Sequence, residues 1–83
     1  MTIHLHKSFE KKFKKLSQKL KEKFKERRNL FLEDSTYPLL YNHPLTGDRE
    51  GQWSINVTGD WRAVYVFGER EDEVTFIDID THS

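Results

Sequence analysis

The sequence has no cysteine among its 83 residues, which excludes both a disulfide framework and a thiolate metal site. Long hydrophobic runs are also absent, since none approaches the ~20 residues that span a membrane. The first residues, MTIHLHKS, lack the apolar segment of a secretory signal peptide. These absences predict a cytoplasmic protein with no membrane partner, and the length predicts one domain over residues 1–83.

The chain has no net charge, because 14 Lys and Arg residues balance 14 Asp and Glu residues. The two signs are nevertheless separated. Residues 1–30 carry eleven basic residues against three acidic ones, and residues 31–83 carry three basic against eleven acidic. The basic half could bind an acidic protein or the phosphates of a nucleic acid. It could equally be a solvated helix face that balances an acidic sheet, so charge alone leaves both interpretations open.

The spacing of apolar residues predicts a strand and then two helices in the first 32 residues. Residues 2–6 alternate between polar and apolar side chains, as in a half-buried strand. Residues 9–16 and 18–32 repeat apolar residues every three or four positions, which indicates two amphipathic helices. Ser8 is the predicted N-cap of the first helix and Ser17 that of the second. The predicted core stripe is Phe9, Phe13, Leu16, Leu20, Phe24 and Phe31.

The rest of the chain is predicted to contain an extended apolar segment at residues 39–41 and strands at 52–57, 61–67 and 73–80. The 61–67 strand is apolar on both faces and is therefore expected to be central. Because the two helices are consecutive, they should pack together on one sheet face. The predicted fold class is α+β in the order β-α-α-β-β-β, with a helical hairpin on one face of a mostly antiparallel four-stranded sheet. Its other face is expected to be open, and the sheet residues predicted to meet the helix stripe are Val64, Val66 and Phe76.

Reactive side chains concentrate between residues 43 and 62, where two Gly-containing turns flank one strand. Imidazoles and a carboxylate can move protons, and an arginine can stabilise a pentavalent phosphorane, so the set suits a metal-free ribonuclease. Structural roles are also possible, because Asp60 fits a turn, Trp61 the core and Arg62 a surface salt bridge. No third ligand accompanies His4 and His6, so neither a metal nor another cofactor is expected. The candidate residues are His43, Asn56, Asp60, Trp61, Arg62 and His82.

The block NHPLTGDREGQWSINVTGDWRAVYVF, followed by IDIDTHS, resembles the RelE/ParE toxin superfamily. Within it, the HPLTG turn, the DWR strand start and the closing THS resemble YafQ-like and RelE/StbE-like mRNA interferases of type II toxin–antitoxin pairs. The order of strand, Lys-rich helical hairpin and meander matches the family over nearly the whole chain. The resemblance implies ribosome-dependent cleavage of translated mRNA, and inhibition by a cognate antitoxin that covers the active face. The implied partners are therefore an antitoxin, the ribosome and mRNA.

The resemblance also implies roles for individual residues. Proton transfer would fall to Asp60 and His82, with His43 as a second base or phosphate contact and Arg62 as a charge on the scissile phosphate. Substrate binding would involve Trp61, Asn56 and Arg49. Two alternatives are a ParE-like gyrase poison without nuclease chemistry and an attenuated toxin. The attenuated form is suggested by Asn56, where YafQ-like toxins carry a histidine, and by the end of the chain at Ser83, before the family's usual tail.

Overall fold

The computed structural model describes residues 1–81, which form two α-helices and a five-stranded sheet. The helices are α1, Lys7–Lys14, and α2, Gln18–Glu33. The strands are β1, Thr2–Leu5; β2, His43–Pro44; β3, Trp53–Asn56; β4, Trp61–Phe67; and β5, Glu73–Thr81. No helix in the described part of the chain is long and apolar enough to cross a membrane.

The predicted α+β class, with a helical hairpin on a mostly antiparallel sheet, is confirmed. The sheet order is β1-β5-β4-β3-β2; β1 runs parallel to β5 and all other neighbours are antiparallel. The predicted count of four strands is wrong by one edge strand. Because a residue before proline favours extended backbone, His43 and Pro44 can pair with Ser54 and Trp53 along the edge of β3.

Local hydrogen bonds decide where the helices begin. The first helix starts earlier than predicted, because His6 rather than Ser8 is its N-cap: the His6 Nδ1 accepts the Ser8 N–H at 3.1 Å. The Ser8 hydroxyl donates instead to the Ile77 carbonyl at 2.6 Å and so ties α1 to β5. The predicted cap of α2 is confirmed, since Ser17 Oγ accepts the Leu20 N–H at 3.2 Å.

The predicted extended segment at residues 39–41 is wrong. Pro38–Leu40 form a short 3₁₀ helix, whose first position suits the fixed φ of proline. Tyr41 closes this helix in the left-handed region, with φ 45° and ψ 50°. The chain therefore turns sharply just before His43 rather than approaching it as a straight strand.

A single aromatic core lies between the helices and the sheet. The ring centroids of Phe9 and Phe24 are 5.0 Å apart, and Phe24 meets Phe76 edge-on at 5.4 Å. Within the predicted stripe, the fully buried residues are Phe9, Phe24 and Phe31. Two further residues of the stripe, Phe13 and Leu16, pack at the margin of the core. Leu20 is only half-buried and lies outside the core cluster.

The central position predicted for β4 is confirmed, but two of its residues face the other way. Ala63 and Tyr65 belong to the core, and side chains alternate along a strand, so Val64 and Val66 point away from the helices. The prediction that these valines meet the helix stripe is therefore wrong. Val64 is nevertheless fully buried, and Arg49 reaches across this side to Asp78. The sheet face away from the helices, called the far face below, is thus partly covered rather than open.

Candidate functional site

Two rows of side chains cross the far face. The strand register places in the first row His43, Ser54, Val64 and Asp78. The second row consists of Asn56, Arg62 and Asp80. Directly opposed residues on neighbouring strands have Cβ atoms about 4.5–5.5 Å apart and share a face. The register therefore gathers an imidazole, an amide and a guanidinium from the predicted set onto one surface.

Two carboxylates of β5 hold three cations across this surface. The Arg62 Nε donates to Asp80 Oδ1 at 3.0 Å. The Arg49 Nη2 lies 3.0 Å from Asp78 Oδ2 and 3.6 Å from Asp80 Oδ2. The Lys12 Nζ donates to Asp78 Oδ1 at 2.7 Å. Since an arginine has five N–H donors and Arg62 uses one of them here, its outer nitrogens can still contact an anionic ligand.

Asp78 is the half-buried centre of this network. Burial raises the pKa of its carboxyl group, but hydrogen bonds from Lys12 and Arg49, together with the charge of Lys12, outweigh that effect. The net result is a pKa below the ordinary value of 3.8, so Asp78 remains ionised at neutral pH. The ionised carboxylate fixes Arg49 over the far face.

His43 is oriented by the residue two positions before it. Its Nδ1 lies 2.7 Å from the Tyr41 carbonyl oxygen, and because a carbonyl only accepts, Nδ1 must carry the proton. The lone pair of the neutral ring is then on Nε2. The tyrosine ring also packs against the imidazole in a tilted arrangement, with centroids 4.4 Å apart. His43 can therefore accept a proton at Nε2 while keeping its contact with the backbone.

The turn between β3 and β4 sends Asp60 and Trp61 to different surroundings. Thr58 Oγ1 accepts the N–H groups of both residues, at 3.2 Å and 3.1 Å, which fixes the turn. Asp60 is exposed at its tip, two residues before Arg62. Trp61 is half-buried and packs against the core on the helix side, away from the two rows. Packing against the core is thus the role that its position supports.

Three side-chain oxygen atoms of the far face lack hydrogen-bond partners. Of the four buried polar side-chain atoms without a partner among residues 1–81, three are Gln52 Oε1, Ser54 Oγ and Asn56 Oδ1. Leaving a buried polar atom unpaired costs about 1–3 kcal/mol. Such costs concentrate where function rather than stability selects the residue. Their alternate positions, in β3 and at the residue just before it, mark the far face as the candidate functional surface.

The sequence interpretation missed the residues that hold the arginines. Asp78 and Asp80 occupy alternate positions of the IDID segment, and this period of two could have placed both carboxylates on one strand face. Tyr41 gives no comparable signal, because its role depends on a sharp turn where the sequence pattern predicts an extended segment. His82 lies outside the described residues. Within residues 1–81, no group of three or more His, Cys, Asp or Glu side chains is arranged to hold a metal ion.

Comparison with solved structures identifies the fold. The chain is similar to a YoeB/ParE toxin from Agrobacterium tumefaciens, with 21% identity, a TM-score of 0.79 and full coverage of both chains. It is similar to YafQ from E. coli, with 24% identity, a TM-score of 0.75 and coverage of 96% of this chain and 91% of YafQ. It also resembles a chain of the RelBE2 toxin–antitoxin complex of Mycobacterium tuberculosis, with 19% identity, a TM-score of 0.72 and coverage of 98% and 96%.

Sequence comparison gives a shorter match. The chain is 60% identical over 25 residues to the endoribonuclease HigB of Proteus vulgaris; this stretch is 30% of the chain and spans 27% of HigB. No protein-family model matches the chain. The whole-length structural likenesses show that the chain has the fold of RelE/ParE-like toxins, which is the fold that the sequence resemblance predicted.

Proposed function

We propose that the chain is the toxin of a type II toxin–antitoxin pair and cleaves translated mRNA on the ribosome. The observation that carries this proposal is that His43 and Arg62 lie on the same face, the far face, of a RelE/ParE-like sheet. A proton acceptor and a fixed cation on one accessible surface are what phosphodiester cleavage by the neighbouring 2′-OH requires. The exposed lysines of α1 and α2 supply a basic surface suited to ribosomal RNA.

The proposed reaction needs only side chains and the substrate itself. A general base removes the proton of the 2′-OH, the O2′–P bond forms and the P–O5′ bond breaks. The departing O5′ receives a proton from a general acid, which leaves a 2′,3′-cyclic phosphate and a 5′-hydroxyl. Asp60 and His82 are the proposed proton-transfer residues, with His43 Nε2 as a second base or phosphate contact. Arg62, steadied by Asp80, stabilises the charge that develops on the phosphorane.

An antitoxin protein is the second proposed partner. The structural neighbour from M. tuberculosis is part of a toxin–antitoxin complex, which supports the existence of a cognate inhibitor for this chain. Inhibition would follow if the antitoxin covers the far face or its rim, because the proposed acid, base and cation would then be closed to mRNA. Arg49 would bind RNA phosphate together with Arg62, since Asp80 holds both guanidinium groups.

Primer extension on a translated message, after expression without antitoxin, tests this function. Asp60→Ala and His82→Ala should each slow cleavage by about 10²–10⁴-fold, the usual loss for a general acid or base. Arg62→Ala should slow it by about 10²–10³-fold through lost charge stabilisation. Arg70→Ala is the matched control, because Arg70 is exposed in the loop at the other end of β4. Asn56→His tests attenuation by restoring the imidazole of YafQ-like toxins.

Three outcomes separate the alternatives. Cuts that persist at full rate in both the Asp60 and His82 variants contradict the assignment of the proton-transfer residues. Cuts that appear only with Asn56→His identify an attenuated toxin. If wild type makes no cuts but inhibits purified DNA gyrase, the ParE-like alternative replaces the nuclease.

A further inference from the structure

We propose that Tyr41 is a stacking platform for an unpaired RNA base next to the scissile phosphate. This inference rests on the proposed nuclease function and names a contact of the same site. Tyr41 is 63% exposed, yet its ring lies 4.4 Å from the His43 ring, with 40° between their planes. An aromatic side chain that is open to solvent and adjoins a proton-transfer group can hold the nucleotide on which that group acts.

The backbone at Tyr41 does not explain the choice of tyrosine. With φ 45° and ψ 50°, the residue is left-handed, where glycine and asparagine are favoured and a bulky side chain is strained. Hydrogen bonds hold this conformation, since the Tyr41 N–H donates to the Pro38 carbonyl at 3.1 Å and His43 Nδ1 donates to the Tyr41 carbonyl at 2.7 Å. The turn therefore tolerates a tyrosine without needing one.

Burial does not explain the presence of tyrosine at position 41 either, because most of the Tyr41 ring surface faces solvent. The comparison with Phe67 is informative: that ring is 59% exposed, but it packs edge-on against Trp53 at 5.5 Å and Tyr65 at 5.7 Å. The only ring contact of Tyr41 among the described residues is His43. Tyr41 is thus a strained and exposed aromatic residue, and its ring partner is the candidate general base His43. These features fit a contact with a ligand better than a packing contact.

The segment that carries Tyr41 is also firmly anchored. Asn42 accepts a hydrogen bond from the buried Tyr65 hydroxyl at 2.8 Å and donates its amide to the Ser35 carbonyl at 2.9 Å. These hydrogen bonds fix the backbone next to Tyr41, so its ring is held in place rather than carried on a mobile loop. A preorganised ring loses little conformational freedom when a base stacks on it.

Three variants test the stacking role. Tyr41→Asn removes the ring but suits the left-handed backbone, so its melting temperature should equal or exceed that of wild type. Tyr41→Phe keeps the ring. Tyr37→Asn is the matched control, because Tyr37 is also an exposed tyrosine, at 45%, but has no ring contact among residues 1–81. The measurement is the single-turnover cleavage rate of ribosome-bound message as a function of toxin concentration and pH.

The expected result is that Tyr41→Asn needs about tenfold more toxin for half-maximal cleavage at every pH, a typical loss for one stacked base. Tyr41→Phe and Tyr37→Asn should match wild type. Equal half-saturation for Tyr41→Asn and wild type overturns the stacking proposal alone. So does a change confined to the pH profile, which would mean that Tyr41 acts only through His43. If wild type makes no cuts, the proposed function fails, and this inference fails with it.

Discussion

The two faces of strands β3 to β5 differ in how fully they exclude water and in whether their polar atoms have hydrogen-bond partners. On the helix side, Ile55, Tyr65 and Phe76 are at most 1% exposed and pack among aromatic rings. On the far face, Arg62 and Asp80 form an ion pair that remains partly exposed, and several polar atoms have no partner. The same strands thus supply a dry core on one side and a charged, incompletely bonded surface on the other.

This difference indicates which side carries stability and which carries function. Burial of aromatic and aliphatic side chains is the main favourable term in folding, and it is concentrated on the helix side. Paired charges at the margin of a protein contribute little to stability, and unpaired buried polar atoms oppose it. We therefore expect substitutions on the helix side to unfold the protein and those on the far face to change activity first.

The largest expected effect on stability comes from the helix side. Phe9 is fully buried and its ring contacts Phe13, Phe24 and Phe76 at centroid distances of 5.0 to 5.9 Å. Phe9→Ala should lower the free energy of unfolding by about 3–5 kcal/mol, against the ~5–15 kcal/mol that a domain usually has. Urea unfolding measures this. Leu39→Ala is the control, since Leu39 is 53% exposed and its removal should cost less than about 1 kcal/mol.

A loss below about 1 kcal/mol for Phe9→Ala would contradict the assignment of stability to the helix side. Phe13→Ala should cost less than Phe9→Ala, because Phe13 is only half-buried at the margin of the core. Equal costs for the two would mean that the core extends further toward the end of α1 than its burial indicates.

Sequence periodicity was sufficient for the two helices and the longer strands, because its signals are repeated along each of these elements. In the segment predicted as a strand at residues 52–57, Trp53, Ile55 and Val57 alternate with polar residues, and in the structure these three side chains pack in or against the core. Periodicity failed where an element is too short to have a period, as in the two-residue strand β2. It also failed for Val64, because an apolar residue in a central strand can be buried on either face.

The candidate site was only partly predictable, because it depends on contacts between distant residues. The cluster at residues 43–62 supplied His43, Asn56 and Arg62, which the sheet register does bring to one face. That Asp80 would hold both Arg49 and Arg62 could not be read from any spacing, since it depends on how the loop after β2 crosses the sheet. Tyr41 was missed because it closes the 3₁₀ helix in the left-handed region, a conformation that a tyrosine in the sequence does not signal.

The next prediction concerns the carboxylate that anchors the far face. Because the pKa of Asp78 is lowered in the folded protein, its ionised form stabilises the fold above the unfolded-state pKa, near 3.8. This contribution is lost as the pH falls through the lower folded-state value. Asp78→Asn should therefore cost about 1–2 kcal/mol of unfolding free energy at neutral pH and progressively less in acid.

Chemical unfolding of wild type and Asp78→Asn across this acid range measures the difference. The control is Asp72→Asn, because Asp72 pairs with the N-terminal amine at 2.9 Å but is 70% exposed, so its variant should differ little from wild type at any pH. A constant difference between Asp78→Asn and wild type from neutral to acidic pH would show that the carboxylate charge is not what stabilises this face.

The smallest expected effect distinguishes the two faces at adjacent residues. Ser54 and Ile55 are both fully buried, but Ser54 faces the far side with an unpartnered Oγ and Ile55 faces the core. Ser54→Ala removes a buried hydroxyl that lacks a partner, so the free energy of unfolding should stay the same or rise by up to about 1 kcal/mol. Ile55→Val removes one core methyl group and should lower the free energy of unfolding by about 0.5–1.5 kcal/mol.

Opposite signs of these two changes in urea unfolding would confirm that the far face is not optimised for stability. A loss above about 1 kcal/mol for Ser54→Ala would mean that a bound water completes its hydrogen bonding and that the two faces are equally satisfied.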